Sequence, residues 1–412
     1  MADFLTRFAL AGVTNYVAWG VAESGWEANG LAAYAYFWDD ANSNGVRDAE
    51  EPCVTQRLAL NGHDNTLTNA LSTLPFDRDR DGILDWWEHL HSDAGLSPTN
   101  SADAWLDPDG DGLINLHEYW AGTEPLAPDG SNTLLSVCAR SIDGMINGVV
   151  PSNAVFRFVD YLANGSNGVF VANSNFWARN LDLSCVSVWH GDEHPETKTA
   201  TAITRRHVVM AKHWWAWNSR LYTFCDTNGV LHIRNIIAAL QISDDLLLGR
   251  LDSPLPDSIR LPKILPIGYA NYIGDGKHLP ALCVNQEKAA TVLEIADLNC
   301  EVTDSGGTHH SKYASNLPDN YVSTQRHDIR AVTSGGNSSS PVFLVAGDDL
   351  IFLFSKHLGS KDELTWCWFY GPMITHHVAS VQSTINAWEG ENQGLYQVEM
   401  LDLSVFNGIV NQ

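Results

Sequence analysis

Ala202-Ile203-Thr204-Arg205-Arg206-His207-Val208-Val209-Met210-Ala211-Lys212-His213-Trp214 centres on Val208-Val209-Met210, a short run of β-favouring residues that leads into a histidine. Similar runs recur downstream, at Leu246 to Leu251, Val342 to Val345 and Leu350 to Phe354, separated by Gly, Asn, Asp and Pro. Short apolar runs punctuated by turn formers predict an all-β barrel or sandwich from about residue 131 onward. Near the end, Val378, Val381, Ile385 and Trp388 recur at spacings of 3, 4 and 3. That is one face of an amphipathic helix. A last strand is expected over Leu395-Tyr396-Gln397-Val398-Glu399-Met400.

Upstream, Tyr16 to Val21 and Ala33 to Trp38 read as strands of a small β-rich region. At 412 residues the chain has room for about two or three domains. The segment Gly122-Thr123-Glu124-Pro125-Leu126-Ala127-Pro128-Asp129-Gly130 is rich in turn formers and marks a domain boundary. The expected division is 1–70, a small β-rich region; 71–130, paired loops and a linker; and 131–412, one large β domain.

Hydrophobic residues at 44% and charged residues at 18% make globular, core-forming material. The net charge is −25, which disfavours nucleic acid as a partner because a polyanion is repelled. No run approaches the ~18 apolar residues of a membrane helix, so no membrane span is expected. The seven cysteines are scattered, without a C-x-x-C pair, which argues against a zinc or redox site.

Part of the negative charge is concentrated in a repeat. Asp77-Arg78-Asp79-Arg80-Asp81-Gly82-Ile83-Leu84-Asp85-Trp86-Trp87-Glu88 recurs thirty residues on as Asp107-Pro108-Asp109-Gly110-Asp111-Gly112-Leu113-Ile114-Asn115-Leu116-His117-Glu118. A twelve-residue calcium loop needs oxygen ligands at positions 1, 3, 5, 9 and 12, a backbone carbonyl at 7 and glycine at 6. The first copy offers Asp77, Asp79, Asp81, Ile83, Asp85 and Glu88; the second offers Asp107, Asp109, Asp111, Leu113, Asn115 and Glu118. A third match, with fewer carboxylates, is Asp40, Asn42, Asn44, Val46, Asp48 and Glu51 around Gly45. The repeats resemble EF-hand-like and thrombospondin type 3 calcium repeats, which implies structural Ca²⁺. Dockerins use similar paired loops to bind cohesin, but the position-12 glutamates and the flanking Trp86-Trp87 and Tyr119-Trp120 are unlike a dockerin's helices.

Three further segments carry a histidine, an aspartate and a serine, in that order: Lys212-His213, Asp245-Leu246-Leu247-Leu248-Gly249-Arg250-Leu251, and Gly336-Asn337-Ser338-Ser339-Ser340-Pro341-Val342. Acyl transfer by serine needs a hydroxyl next to a histidine base, an aspartate that orients the base, and amide donors for the oxyanion. The segments resemble the "T-A-A-H-C", "D-I-A-L-L-x-L" and "G-D-S-G-G-P-V" runs of chymotrypsin-like (trypsin-like) serine proteases, over roughly residues 170–390. The resemblance implies a mainly β, double β-barrel with a C-terminal helix. His213 is then the base, Asp245 its orienter, with Asp244 as the neighbouring alternative, and Ser338 the nucleophile. The amides of Gly336 and Ser338 would form the oxyanion hole, and Val332, Thr333 and Ser355 an uncharged specificity pocket. The 93 residues between Asp245 and Ser338 are of the size this family uses.

Three departures stand out. Trp214 replaces the family's cysteine, so that disulfide is absent. Asn337 replaces the aspartate that pairs with a newly cut N-terminus, and no "I-V-G-G"-like activation sequence is present. Ser339 replaces a glycine whose backbone conformation a β-carbon crowds. The expectation is a calcium-stabilised serine endopeptidase acting on peptide or protein substrates. The alternative is a catalytically inactive, protease-like binding or adhesion protein. Calcium loops of modest affinity favour the extracellular side, secreted or cell-surface, despite the lack of a visible signal peptide, which points to a truncated start.

Overall fold

A computed structural model of the chain describes residues 16–22, 31–39, 53–60, 77–111, 113–128, 132–162, 169–188, 199–215, 221–285, 288–304, 307–316, 326, 329, 338–356, 358–362 and 366–409. The chain divides into two compact units, Met1–Leu106 and Asp107–Gln412.

In the first unit, β1 (Tyr16–Ala22), β2 (Leu31–Asp39) and β3 (Cys53–Leu60) form an antiparallel sheet in that order. The first Asp-rich loop follows and runs into α1 (Asp85–Leu90). The 3₁₀ turns Ser92–Ala94 and Asp103–Trp105 complete the unit. Ile83, Trp87, Leu96 and Ala104 are buried and supply its apolar contacts.

The second unit begins with the second Asp-rich loop and α2 (Asn115–Ala121), all of whose residues are buried. Next comes α3 (Leu134–Ile146), whose N-terminus is capped by the Thr133 hydroxyl accepting from the Ser136 N–H at 3.1 Å. Leu134, Leu135, Cys138, Ala139, Ile142 and Ile146 line its buried face. The pattern of short strands does not anticipate this helix, although its apolar residues follow a helical period.

The rest of the unit is mainly β. The strands β4 (Val159–Leu162) and β5 (Val169–Ala172) pair as a hairpin. A five-stranded antiparallel sheet contains β6 (Thr201–Thr204), β7 (His207–Ala211), β8 (Leu221–Cys225), β9 (Leu231–Ser243) and β10 (Leu246–Leu251) in the order β6-β7-β10-β9-β8. An eight-stranded sheet contains β11 (Lys263–Ile264), β12 (Pro280–Val284), β13 (Ala290–Asp304), β14 (Gly307–Asn316), β15 (Pro341–Ala346), β16 (Asp349–Ser355), β17 (Leu358–Asp362) and β18 (Trp366–Pro372). Its order is β11-β16-β15-β12-β13-β14-β18-β17. The sheets include a curled half-barrel. Strands β7, β10, β12 and β15 are buried at nearly every position, as expected for strands with apolar neighbours on both faces.

The helix expected near the C-terminus is α4 (Val378–Glu389). Its Val381 and Ile385 join the same apolar cluster as Val208 and Leu248 of the five-stranded sheet and Phe343 and Phe352 of the eight-stranded one. The strand expected at 395–400 does not form. Only Met400 makes a bridge, to Ile264. Part of this segment's backbone is satisfied by a helix side chain instead: Gln382 Oε1 accepts from the Val398 N–H at 2.9 Å, and its amide donates to the Tyr396 carbonyl, while the Glu399 carbonyl accepts from the Ile264 N–H at 2.8 Å.

Helix α4 is tied to the five-stranded sheet by charge. The buried carboxylate of Glu389 accepts from Arg250 Nε at 2.6 Å and from Arg206 Nη1 at 3.0 Å. His207, at the start of β7, stacks on Trp388 and lies 3.3 Å from the same carboxylate. Burial works against the Glu389 charge, but the Arg250 hydrogen bond and the Arg206 charge outweigh it and hold the carboxyl below the usual glutamate range. Burial pushes the His207 imidazole down to about 4, so it is neutral at pH 7.

Replacing Glu389 with Gln should cost roughly 3 kcal/mol in urea unfolding. This is the low end for a broken buried pair, because both guanidiniums keep some contact with water. Because the folded-state value of Glu389 is depressed, its contribution is present above 4.5, the ordinary glutamate value, and is lost as pH falls through the folded one. The gap between wild type and variant should therefore close on acidification.

Candidate active site and acidic loops

The turn that follows β7 and the turn that precedes β10 bring two side chains together. Asp245 is the last residue of the two-residue turn between β9 and β10, and His213 lies in the 3₁₀ turn Lys212–Trp214 just after β7. Because β7 and β10 pair antiparallel, with Leu246 opposite Ala211, these turns fall at the same end of the sheet. The Lys212 N–H donates to the Asp245 carbonyl at 2.8 Å, which fixes one turn to the other.

The Asp245 carboxylate, with only 3% of its side chain exposed, then grips the histidine twice. Its Oδ1 accepts from the His213 backbone N–H and its Oδ2 is paired with His213 Nδ1, both at 2.8 Å. A carboxylate can only accept, so the shared proton sits on Nδ1 and Nε2 keeps its lone pair. That lone pair faces Ser338: Nε2 and the serine Oγ are 2.8 Å apart. The histidine side chain remains 38% exposed, so part of the ring is open to solvent. Asp244 has a different role, its carbonyl accepting from the Gln241 side chain at 2.8 Å.

Ser338 comes from the other sheet, three residues before β15. Its turn is held by two backbone bonds to the strand end of β16: the Ser339 N–H donates to the Lys356 carbonyl and the Lys356 N–H to the Ser340 carbonyl. Lys356 is itself buried and donates Nζ to the Val284 carbonyl at 3.0 Å. Ser339 is one of four non-glycine residues with positive φ among the described residues, at φ 71°. It stays there because its hydroxyl accepts a 2.8 Å buried hydrogen bond from the Ala211 N–H, two residues before His213. The sequence marked Ser339 as a departure on account of its β-carbon; the role of its hydroxyl could be seen only in three dimensions. Ser355, expected to line the pocket, ends β16 and is buried. Val332, Thr333 and Gly336 lie outside the described residues, as does the third loop, Asp40, Asn42, Asn44, Val46, Asp48 and Glu51.

Each Asp-rich loop gathers carboxylates. One oxygen from each of Asp77, Asp79 and Asp81 lies within 4.8 Å of the others, and Asp107, Asp109 and Asp111 form the matching group in the second unit. In the first loop Asp77 accepts from the Asp81 and Gly82 amides, and Asp81 from the Ile83 amide. In the second, Asp107, Asp109 and Asp111 accept from Gly110, Asp111 and Leu113. Asp85 is turned to the Arg78 amide at 2.8 Å. Asn115 and Glu118 are buried at the start of α2.

The first loop tests whether a cation fits. Glu88 is fully buried and neither carboxylate oxygen has a hydrogen-bond partner; Oδ2 of the buried Asp81 likewise has none. Burial, then the charges of Asp81 and Asp79, push Glu88 up to about 9. Asp81 is raised to about 7, chiefly by burial. Carboxylates so placed are relieved either by a proton or by a cation, and an all-oxygen donor set suits a hard divalent ion.

No protein-family model matches the chain, and no characterised protein matches it.

Two substitutions test these local readings. For Ser339 the expected order of stability is Ser, then Gly, then Ala. Alanine loses the bond to Ala211 and keeps the positive φ, at a cost of about 1–3 kcal/mol, and glycine recovers about 1 kcal/mol of that. At loop position 4, Arg80 has φ 63° where the second loop has Gly110 at φ 76°. Arg80→Gly should stabilise the first unit by about 0.5–1 kcal/mol, read as a higher melting temperature.

Proposed function

We propose that the protein is a serine endopeptidase with a chymotrypsin-like double β-barrel, and that its Asp-rich loops hold structural calcium on the extracellular side. The observation that carries the catalytic reading is the continuous chain Asp245 Oδ2, His213 Nδ1, His213 Nε2, Ser338 Oγ, with both contacts at 2.8 Å. These residues come from two different sheets and are 32 and 125 positions apart, so no local turn accounts for their alignment.

In this reading Ser338 Oγ attacks the peptide carbonyl carbon while His213 Nε2 takes its proton. The C–N bond then breaks as His213 returns that proton to the leaving amine. Water repeats the sequence on the acyl-enzyme, again with His213 as base. Asp245 keeps the imidazole in the tautomer that leaves Nε2 able to accept, and it stabilises the imidazolium as it forms. The Ser338 and Gly336 amides would receive the oxyanion, a contribution of about 2.7–4 kcal/mol per donor in comparable sites.

A fluorophosphonate probe should label the wild-type protein, and labelling should vanish in Ser338→Ala. Asp245→Asn should lower the peptidase rate by roughly 10⁴-fold, because the carboxamide favours the wrong tautomer. Folded protein that takes no label would overturn the catalytic reading and leave a protease-like binding scaffold.

A further inference from the structure

Glu88 projects from α1 into a pocket of carboxylates that extends beyond its own loop. One oxygen from each of Asp81, Glu88 and Asp103 lies within 4.8 Å of the other two. Asp103 is fifteen residues past the end of the twelve-residue loop, in the 3₁₀ turn Asp103–Trp105. All three side chains are buried, and Asp81 belongs also to the Asp77, Asp79, Asp81 group. Five carboxylates from two segments therefore share one small volume. The independent pointer to a ligand is Glu88, which is 0% exposed with both oxygens lacking a hydrogen-bond partner. An ionised glutamate in that setting carries a desolvation cost of several kcal/mol unless a cation meets it, the alternative being that it takes up a proton. The largest charge effects on it come from Asp81, Asp79, Asp103 and Asp85, all of the same sign.

Asp103 is held in place by its other oxygen. Its Oδ2 accepts from the Ser97 N–H at 2.8 Å and from the Asn100 side chain at 3.3 Å. The return segment from Gly95 to Trp105 thus delivers a carboxylate to the loop in a fixed orientation, the kind of outer-shell support that metal ligands receive.

We propose that Asp103 is a ligand of the same divalent cation as Asp81 and Glu88, so that the first site is closed by a residue from outside the loop. The inference rests on the cation reading of the loops. The ion then joins the loop, α1 and the return segment into one folded piece. Among the described residues, the carboxylates grouped in the second loop are Asp107, Asp109 and Asp111, all half-buried, with Glu118 buried at its position 12. Affinity rises with ligand charge and with the rigidity of the site, so the added, fixed Asp103 carboxylate makes the first site the tighter of the two in this proposal.

The test is calorimetric titration of the full chain with Ca²⁺ after chelator treatment. Wild type should show one tighter class, from the first loop, and weaker binding from the remaining loops. Asp103→Asn, which retains an acceptor for Ser97, should weaken the tighter class at least about tenfold and leave the weaker one unchanged, and Asp109→Asn should do the reverse. Hydrogen exchange on the wild-type protein gives a readout that needs no variant: Ca²⁺ should slow exchange at 97–105 together with 77–88. Wild-type affinity in Asp103→Asn, or protection confined to 77–88, overturns the role of Asp103 and leaves the loop reading standing. No calcium binding by the wild type sinks both.

Discussion

The Ala211 N–H to Ser339 Oγ hydrogen bond joins the two sheets at the point where His213 and Ser338 meet. Its donor ends β7, the strand that delivers His213; its acceptor follows Ser338 directly in the chain. A shift of either sheet by an ångström would break this 2.8 Å contact, and would separate His213 Nε2 from Ser338 Oγ as well. Ser339 is held at positive φ by the same bond, so a local conformational cost of about 1–2 kcal/mol is offset by a buried partner for an otherwise orphaned amide. Lys356 supplies the second constraint, through its backbone bonds to both Ser339 and Ser340.

Charge is used differently in the two units. In the second unit, buried ions are paired: Glu389 with Arg206 and Arg250, and Arg326 with Asp143 and Glu294, the latter at 2.7–2.9 Å. Glu294 also accepts from His278 at 2.8 Å; although burial opposes its charge, this bond and the Arg326 charge hold its carboxyl down at about 2. These clusters fix helices α3 and α4 against the sheets at the expense of desolvation, complete around Arg326 and partial around Arg206 and Arg250, and so serve orientation more than net stability. The second loop is tied into the same network, since His117 of α2 reaches the Lys277 carbonyl at 3.2 Å. In the first unit the buried carboxylates of Asp81, Glu88 and Asp103 face one another.

Much of the site was legible in the chain. His213, Asp245 and Ser338 stand in segments whose residue types follow from the chemistry of a base, its orienter and a nucleophile, each beside a strand-forming run. Asp244 is the neighbouring alternative to Asp245 in the sequence, because a one-residue register shift leaves the apolar pattern of β10 almost unchanged; in the structure it is the Asp245 carboxylate that meets His213 Nδ1. Helix α3 escaped a reading built on short strands, and the segment 395–400 was read as a strand because alternating apolar residues do not reveal whether a partner strand is available. Gln382 supplies two of the hydrogen bonds that a neighbouring strand would have made.

By itself the sequence determined the repeating Asp-x-Asp-x-Asp-Gly loops, the period of α4 and the mainly β character, because these depend on residue types at fixed, short spacings. Only the tertiary structure decided that Ser339 anchors to Ala211, 128 residues away, and that Asp103 joins Asp81 and Glu88. Hydrogen bonding and carboxylate clustering act over a few ångströms of space. Contacts set by that distance carry no sequence period, and they exist only once the sheets and turns have brought remote backbone together.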